Sequence, residues 1–273
     1  MQSLRNGTNR TPAWLRLIVI ALLTAWAMFA EVRATKAQTP SIPRHSVDWF
    51  NLPGAVTVAP GNSANHSEAG KPILATKVSK EVDKGRANLL AGQFDAARSE
   101  FEAAYKAAPG NPDVNYFLGL AFMAEKQFDR ADTYLGRAYS IYPRDPLTPT
   151  AIGILRAMQS RFEDAISLLE AAIQLDKQMY LPHLILGEVF LAQKKFDDAL
   201  TEGRIALKEN KQDSRSKLVI GTALAALGQT KEAIKALQEF IDESPDDTTV
   251  KGVKQLMTML QKSSTTPTSN TLP

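Results

Sequence analysis

The sequence predicts an all-α solenoid of five tandem 34-residue helix-turn-helix units over 78–247, closed by a further helix at 248–262. Three observations carry that expectation. Glycines recur at Gly85, Gly119, Gly153, Gly187 and Gly221, each 34 residues after the last. Alanines recur with the same step at Ala97, Ala131, Ala165, Ala199 and Ala233, always twelve residues after the glycine. Phe94, Phe128, Phe162 and Phe196 sit three residues before the first four alanines, and Thr230 takes that place in the fifth unit. Self-similarity at one period of this length marks a repeat architecture, in which each unit buries its apolar face against its neighbours.

The units run 78–111, 112–145, 146–179, 180–213 and 214–247. Each reads as an apolar-periodic helix, a short turn rich in Gly, Lys, Gln and Arg, and a second apolar-periodic helix with Ala at its waist. A glycine in mid-helix costs about 0.5–1 kcal/mol relative to alanine, so its recurrence implies a packing need. Two antiparallel helices approach closely only where side chains are small, which sets Gly on the first helix opposite Ala on the second. Larger residues then fill the layers around the contact: Leu118, Phe122 and Leu135 in the second unit, Leu186 and Phe190 in the fourth. Pro109-Gly-Asn-Pro112, Pro143-Arg-Asp-Pro146 and Ser244-Pro-Asp-Asp247 punctuate the unit boundaries, where proline ends one helix or opens the next. Asp95, Asp129 and Asp197 are expected to cap second helices. The segment VKGVKQLMTMLQK reads as an amphipathic helix that covers the open end of the stack.

This pattern resembles the tetratricopeptide repeat family over about 78–247. The resemblance rests on small residues at the eighth, twentieth and twenty-seventh places (Ala104, Ala138, Ala172 and Ala206 at the last). It rests also on a bulky residue at the twenty-fourth (Phe101, Leu135, Leu169) and on Pro109, Pro143 and Pro245 at the thirty-second. The chain departs from the pattern at Asn88 and Arg156 in the eleventh place, Gly203 in the twenty-fourth and Phe240 in the twenty-seventh.

The resemblance implies a right-handed superhelix whose first helices line the concave surface and bind a protein or peptide partner. The places that project there make a mainly apolar groove from Tyr116, Phe117, Leu120, Met123, Leu147, Ile154, Met158, Leu181, Leu184, Leu191 and Leu218. Asp113, Glu188 and Arg215 are its isolated polar points. The two-carboxylate clamp that some members use on chaperone C-termini is missing, because its places hold Val82, Arg86, Phe117, Leu147 and Ala151. What remains suits an apolar extended segment or an amphipathic helix. The alternative is that these residues are ordinary inter-repeat core, with partner contacts on another surface. Glu188 and Arg156 are expected to form a structural ion pair between adjacent first helices.

Charge and chemistry narrow the function classes. The formal charge is +3, but residues 1–77 hold eight Lys/Arg against three acids, a surplus of five, so the rest of the chain is acidic by two. A basic stripe for phosphates is therefore not expected on the repeats, and neither is nucleic-acid binding. The chain has no cysteine, which removes disulfides, thiolate nucleophiles and cysteine metal sites. His45, His66 and His183 do not form a ligand spacing, and no phosphate loop or nucleophile elbow occurs. The doublets Asp197-Asp198 and Asp246-Asp247 fall at helix starts, where carboxylates meet unpaired N–H groups. No catalytic residue, cofactor or metal is expected.

The termini carry a separate signal. Arg5, Arg10 and Arg16 precede the apolar run Leu17–Ala30, which at about 1.5 Å per residue falls short of a ~30 Å hydrocarbon core. With Ala-x-Ala-like sites ending at Ala27, Ala34 or Ala37, residues 1–37 read as a signal peptide. Arg33 and Lys36, just beyond the apolar run, leave open an uncleaved membrane anchor. Both readings place the repeats outside the cytoplasm. Residues 38–77 read as a linker rich in Pro, Ser, Gly and Asn, and 263–273 as a disordered tail. The expected function is an exported, periplasmic or secreted, non-enzymatic scaffold. Its rival is a membrane-anchored assembly factor of an envelope or secretion complex. Within the linker, Val47-Asp-Trp-Phe-Asn-Leu52 is too apolar for a plain spacer, and Trp49 and Phe50 are expected either to dock on the solenoid or to serve as a short recognition motif.

Overall fold

The computed structural model describes residues 76–265 apart from Asp246 and Thr248. Among these residues the chain forms eleven α-helices and no strand. In order they are α1 (Thr76–Leu90), α2 (Phe94–Ala107), α3 (Pro112–Ala124), α4 (Phe128–Ile141), α5 (Leu147–Met158), α6 (Phe162–Leu175), α7 (Tyr180–Ala192), α8 (Phe196–Glu209), α9 (Ser214–Ala226), α10 (Thr230–Glu243) and α11 (Val250–Thr265). The first ten pair as five hairpins in the 34-residue register, and α11 follows them. The expected segment 1–37 and residues 38–75 of the expected linker 38–77, with Trp49 and Phe50, lie outside the described residues, as does the end of the tail, while Thr76 and Lys77 already belong to α1.

Each hairpin turns on one backbone device. The residue at the fifteenth place is left-handed in all five units: Gly92 (φ 73°), Lys126 (59°), Ser160 (61°), Lys194 (62°) and Gly228 (77°). The following amide reaches back across the helix end, as Gln127 N–H does to the Phe122 carbonyl at 2.8 Å and Lys195 N–H to Phe190 at 2.9 Å. These bonds satisfy carbonyls that the end of the first helix leaves orphaned. Lys126, Ser160 and Lys194 adopt a conformation that costs an L-residue roughly 1–2 kcal/mol.

Capping falls on residues other than the aspartates expected. Asp95, Asp129 and Asp197 lie one position inside α2, α4 and α8, where they meet the helix dipole. The cap positions themselves are Gln93, Gln127 and Lys195, and none makes a side-chain cap bond. Side-chain caps belong to first helices instead. Asn111 Oδ1 accepts from Asp113 and Val114 N–H before α3, Asp145 accepts from Leu147 and Thr148 N–H before α5, and Asp213 accepts from Ser216 N–H before α9. Asp247 accepts from Thr249 N–H just ahead of α11.

The glycine column has a sharper reason than a Gly–Ala contact. A Cβ built on Gly85 would lie 2.4 Å from the Phe101 ring, on Gly119 2.7 Å from Leu135, on Gly153 2.9 Å from Leu169 and on Gly221 2.7 Å from Leu237. Each glycine clears room for the bulky twenty-fourth residue of its own hairpin. The alanine column still matters, since Ala97, Ala131, Ala165, Ala199 and Ala233 are fully buried and the Ala165 and Ala199 carbonyls come within 3.4 Å of the same built atoms on Gly153 and Gly187. Unit 4 differs. Its twenty-fourth residue is Gly203, and the space above Gly187 is taken by Val219 of α9, 2.9 Å from the built Cβ.

Successive first helices touch directly, α1 with α3, α3 with α5, α5 with α7 and α7 with α9. Successive second helices do not approach one another to the same extent, so the first helices form the inner, tighter side of the curved stack. At the far end α11 turns Val250, Val253, Leu256, Met257 and Leu260 inward and leaves Lys251, Lys254 and Lys262 in solvent. That is how a solenoid end is closed.

Candidate functional site

The inner face gathers the residues that the repeat register places there, but it closes over most of them. Tyr116, Phe117, Leu120, Met123, Ile154, Leu181 and Leu184 are buried, Leu120 and Leu184 to 1 % exposure. The physical reason is that a first helix in a curved stack is flanked by first helices on both sides, so its middle turns become seams. In units 1 and 2 aromatic packing seals the face. Phe101 and Phe117 stack at 5.5 Å between centroids, Tyr116 meets Phe117 edge-on at 5.3 Å, and the Arg86 guanidinium lies 5.5 Å above the Phe117 ring. Burial pushes the Tyr116 hydroxyl far above the usual tyrosine range, with Asp145 and Asp113 adding to the shift.

The residues left half-buried lie farther along. Leu147 and Met158 of α5, Leu191 of α7 and Leu218 of α9 keep part of their surface, and they pack at the edge of the core rather than inside it. Among them stands a polar pair that the sequence reading assigned differently. Glu188 Oε1 accepts from Arg215 Nη2 at 2.6 Å, joining α7 to α9. Arg156 turns the other way and binds Asp132 of α4 at 2.6 Å. The expected Glu188–Arg156 pair is thus replaced by two pairs, each reaching the neighbouring unit on its own side.

The electrostatics of the pair follow from its setting. Burial raises the Glu188 carboxyl above its ordinary value, Arg215 opposes the rise, and Asp213 adds to it. For Arg215, burial works against the charged form, but the carboxylates of Glu188 and Asp213 outweigh it and the guanidinium is held above its ordinary value. Tyr180, at the start of α7, is also shifted upward, first by burial and then by Asp213. Glu188 Oε2 is buried and receives no hydrogen bond. One arginine therefore faces two carboxylates, Glu188 and Asp213, in an apolar surround.

His183 is buried, with Nδ1 2.7 Å from Glu202 Oε2, a local pairing between α7 and α8. Among the described residues no group of three or more His, Cys, Asp or Glu side chains is placed to hold a metal ion. Nor is any described helix long and apolar enough to cross a membrane.

A family model for the tetratricopeptide repeat matches residues 88–147 and 157–215, and a second one matches 216–247. No curated protein matches the chain by sequence. Solved structures are similar in fold at low identity. A thermophilic tetratricopeptide repeat protein of Thermus thermophilus aligns with a TM-score of 0.59 at 18 % identity, over 68 % of this chain and 99 % of its own. The pilF protein of Pseudomonas aeruginosa aligns with 0.56 at 19 %, over 68 % and 90 %. A tetratricopeptide repeat protein of Parabacteroides merdae aligns with 0.54 at 16 %, over 70 % and 76 %. Motif register, hairpin geometry and family models agree: the chain belongs to the tetratricopeptide repeat family.

Proposed function

We propose that this chain is a non-catalytic scaffold that holds a polypeptide partner against the inner face of units 3–5, outside the cytoplasm. The interaction role is general to tetratricopeptide repeat proteins. The specific reading rests on one observation: among the large apolar residues of the inner face, Leu147, Met158, Leu191 and Leu218 keep part of their surface, and the Glu188–Arg215 pair lies among them. Half-buried leucines around a few fixed polar groups suit an extended or helical segment laid along the groove. Export is supported by the basic, apolar and Ala-x-Ala-like order of residues 1–37. The membrane-anchored alternative is favoured by Arg33 and Lys36 next to the apolar run.

Leu191→Glu and Leu218→Glu test the groove, with Leu175→Glu on α6 as the control because Leu175 is already 38 % exposed on a second helix. Polypeptides captured by the unmodified chain should be lost from both groove variants and kept by the control, with helical circular dichroism unchanged. Equal capture by all three variants would move the partner surface elsewhere. Mass spectrometry of the mature N-terminus decides the leader: a start after Ala27, Ala34 or Ala37 indicates export, and an intact Met1 or Gln2 in the membrane fraction indicates the anchor.

A further inference from the structure

We infer that residues 44–52 of this chain, Arg-His-Ser-Val-Asp-Trp-Phe-Asn-Leu, fold back and occupy the inner strip of units 3–5 when no partner is present. The inference rests on the proposal that this strip accepts a polypeptide, and it adds which polypeptide sits there first.

The chain's own geometry brings the segment to the right edge. α1 begins at Thr76, two residues ahead of the register place at which Pro112, Tyr180 and Ser214 open other first helices and three ahead of that of Leu147. The preceding chain therefore leaves the stack on the side where Leu147, Arg215 and Leu218 occupy the first turns of α5 and α9. Four steps between neighbouring helices at about 8–10 Å each separate α1 from α9, some 30–40 Å in all. Residues 53–75 supply the tether. A Pro/Gly/Ser-rich chain of that length has a root-mean-square span of about 25–30 Å and a limit near 75 Å. The strip lies somewhat beyond the mean span of the tether and well within its limit, so the tether reaches it by partial extension.

The chemistry is complementary in order as well as kind. Segment 44–52 opens with Arg44 and His45 and continues with Val47, Asp48, Trp49, Phe50 and Leu52, so Asp48 balances Arg44 overall and the positive charge sits at the leading end. The strip offers Glu188 and Asp213 against the single cation Arg215, a local excess of one negative charge, beside Leu191, Leu218 and Met158. A cation placed near Glu188 supplies the counter-charge its carboxylate pair lacks, and the two aromatics cover leucines that solvent now reaches. Tethering makes weak affinity sufficient. At an effective concentration of about 1 mM, a segment whose free-peptide Kd is about 0.1 mM is roughly 90 % bound. A partner must then displace it, so the free groove is occupied by the protein's own chain.

The test places the photoreactive residue p-benzoylphenylalanine at Leu218 of the full chain and, separately, at Phe50. Irradiation and tryptic peptide mapping should join position 218 to the peptide that contains Trp49 within the same molecule. Position 50 should be joined to peptides carrying Met158, Leu191 or Leu218. Arg44→Glu, which lies outside the repeats and leaves helical circular dichroism unchanged, should lower both yields several-fold. Bonds only between separate chains, bonds from position 50 only to second helices, or no bond at all would overturn the inference, and an unaffected yield in Arg44→Glu would overturn the charge pairing. If position 218 bonds only to other polypeptides, the groove reading stands and self-docking falls. If it bonds to none, both fall.

Discussion

In unit 2 the space above Gly119 is filled by Leu135 of the same hairpin, while in unit 4 the space above Gly187 is filled by Val219 of the next one. The difference traces to a single residue, Gly203, which stands where the other units carry Phe101, Leu135, Leu169 and Leu237. With that side chain gone, α9 moves its Val219 and Ile220 against the bare backbone of α8, 3.0 and 3.1 Å from a Cβ built on Gly203. The same density is reached from opposite directions, inside a unit in one case and across a unit boundary in the other. A glycine in a repeat thus states that something must fit above it, without stating whose side chain that is.

The comparison breaks most visibly at its fillers. Leu135→Ala should cost about 2–5 kcal/mol in guanidinium unfolding, as expected for a fully buried leucine. Gly119→Leu and Gly203→Leu should each cost about 1–3 kcal/mol by overpacking. They differ in how they are relieved. Adding Val219→Ala to Gly203→Leu should recover at least about 1 kcal/mol, because the valine occupies the space that the new leucine needs. Adding Val219→Ala to Gly119→Leu should give the sum of the two costs, since the sites share no partner. Additive behaviour in both pairs would show that Val219 does not fill the unit 4 gap.

Much of the fold was legible for a plain reason. A 34-residue period multiplies a weak local signal five times, so the hairpins follow from glycine, alanine and phenylalanine columns alone, and the covering helix from its own amphipathic pattern. Legibility stopped where a residue's role depends on its spatial neighbours. The left-handed turn could be read at Gly92 and Gly228, but not at Lys126, Ser160 or Lys194, where the backbone imposes it on ordinary residues. The inner-face places follow from the repeat register, yet whether each stays open depends on how closely the next first helix lies, which Leu120 and Leu191 resolve oppositely. Glu188 was paired to the wrong side because both neighbouring units offer an arginine, at Arg156 and at Arg215.

That ion pair gives a smaller, pH-dependent test of the unit 4–5 boundary. Glu188 has a folded-state pKa raised above its ordinary value, so its contribution to stability is fullest below the pKa of the unfolded chain and is lost as pH rises through the folded value. Arg215→Met removes the attraction that limits the rise. The variant should therefore lie nearest the unmodified protein in mild acid, around the ordinary glutamate range, and fall behind it progressively toward neutral pH. Denaturant midpoints across that range would show it, and parallel pH profiles would mean the carboxylate does not depend on Arg215. Leu120 on the inner face of unit 2 carries no titratable group, so Leu120→Met there should leave the pH profile unchanged.

The smallest expected effect is a gain. Lys126→Gly and Lys194→Gly should each stabilise by up to about 1 kcal/mol, as the left-handed turn loses its side-chain clash and part of that is returned to unfolded-chain entropy. The two increments should match, because the turn is built the same way in units 2 and 4. A thermal midpoint that falls in either variant would mean the lysine makes a contact worth more than its strain.

Val219 also bears on how such an array is assembled and edited. Unit 2 brings both its notch and the side chain that fills it, so it is a self-contained cassette that duplication or deletion could move whole. Units 4 and 5 are not separable in that sense, because a cut after residue 213 removes the filler and bares a notch lined by Gly187 and Gly203. Residues 180–247 therefore behave as one indivisible 68-residue module within a chain that otherwise counts in 34s, and shuffled or shortened versions should respect that larger block.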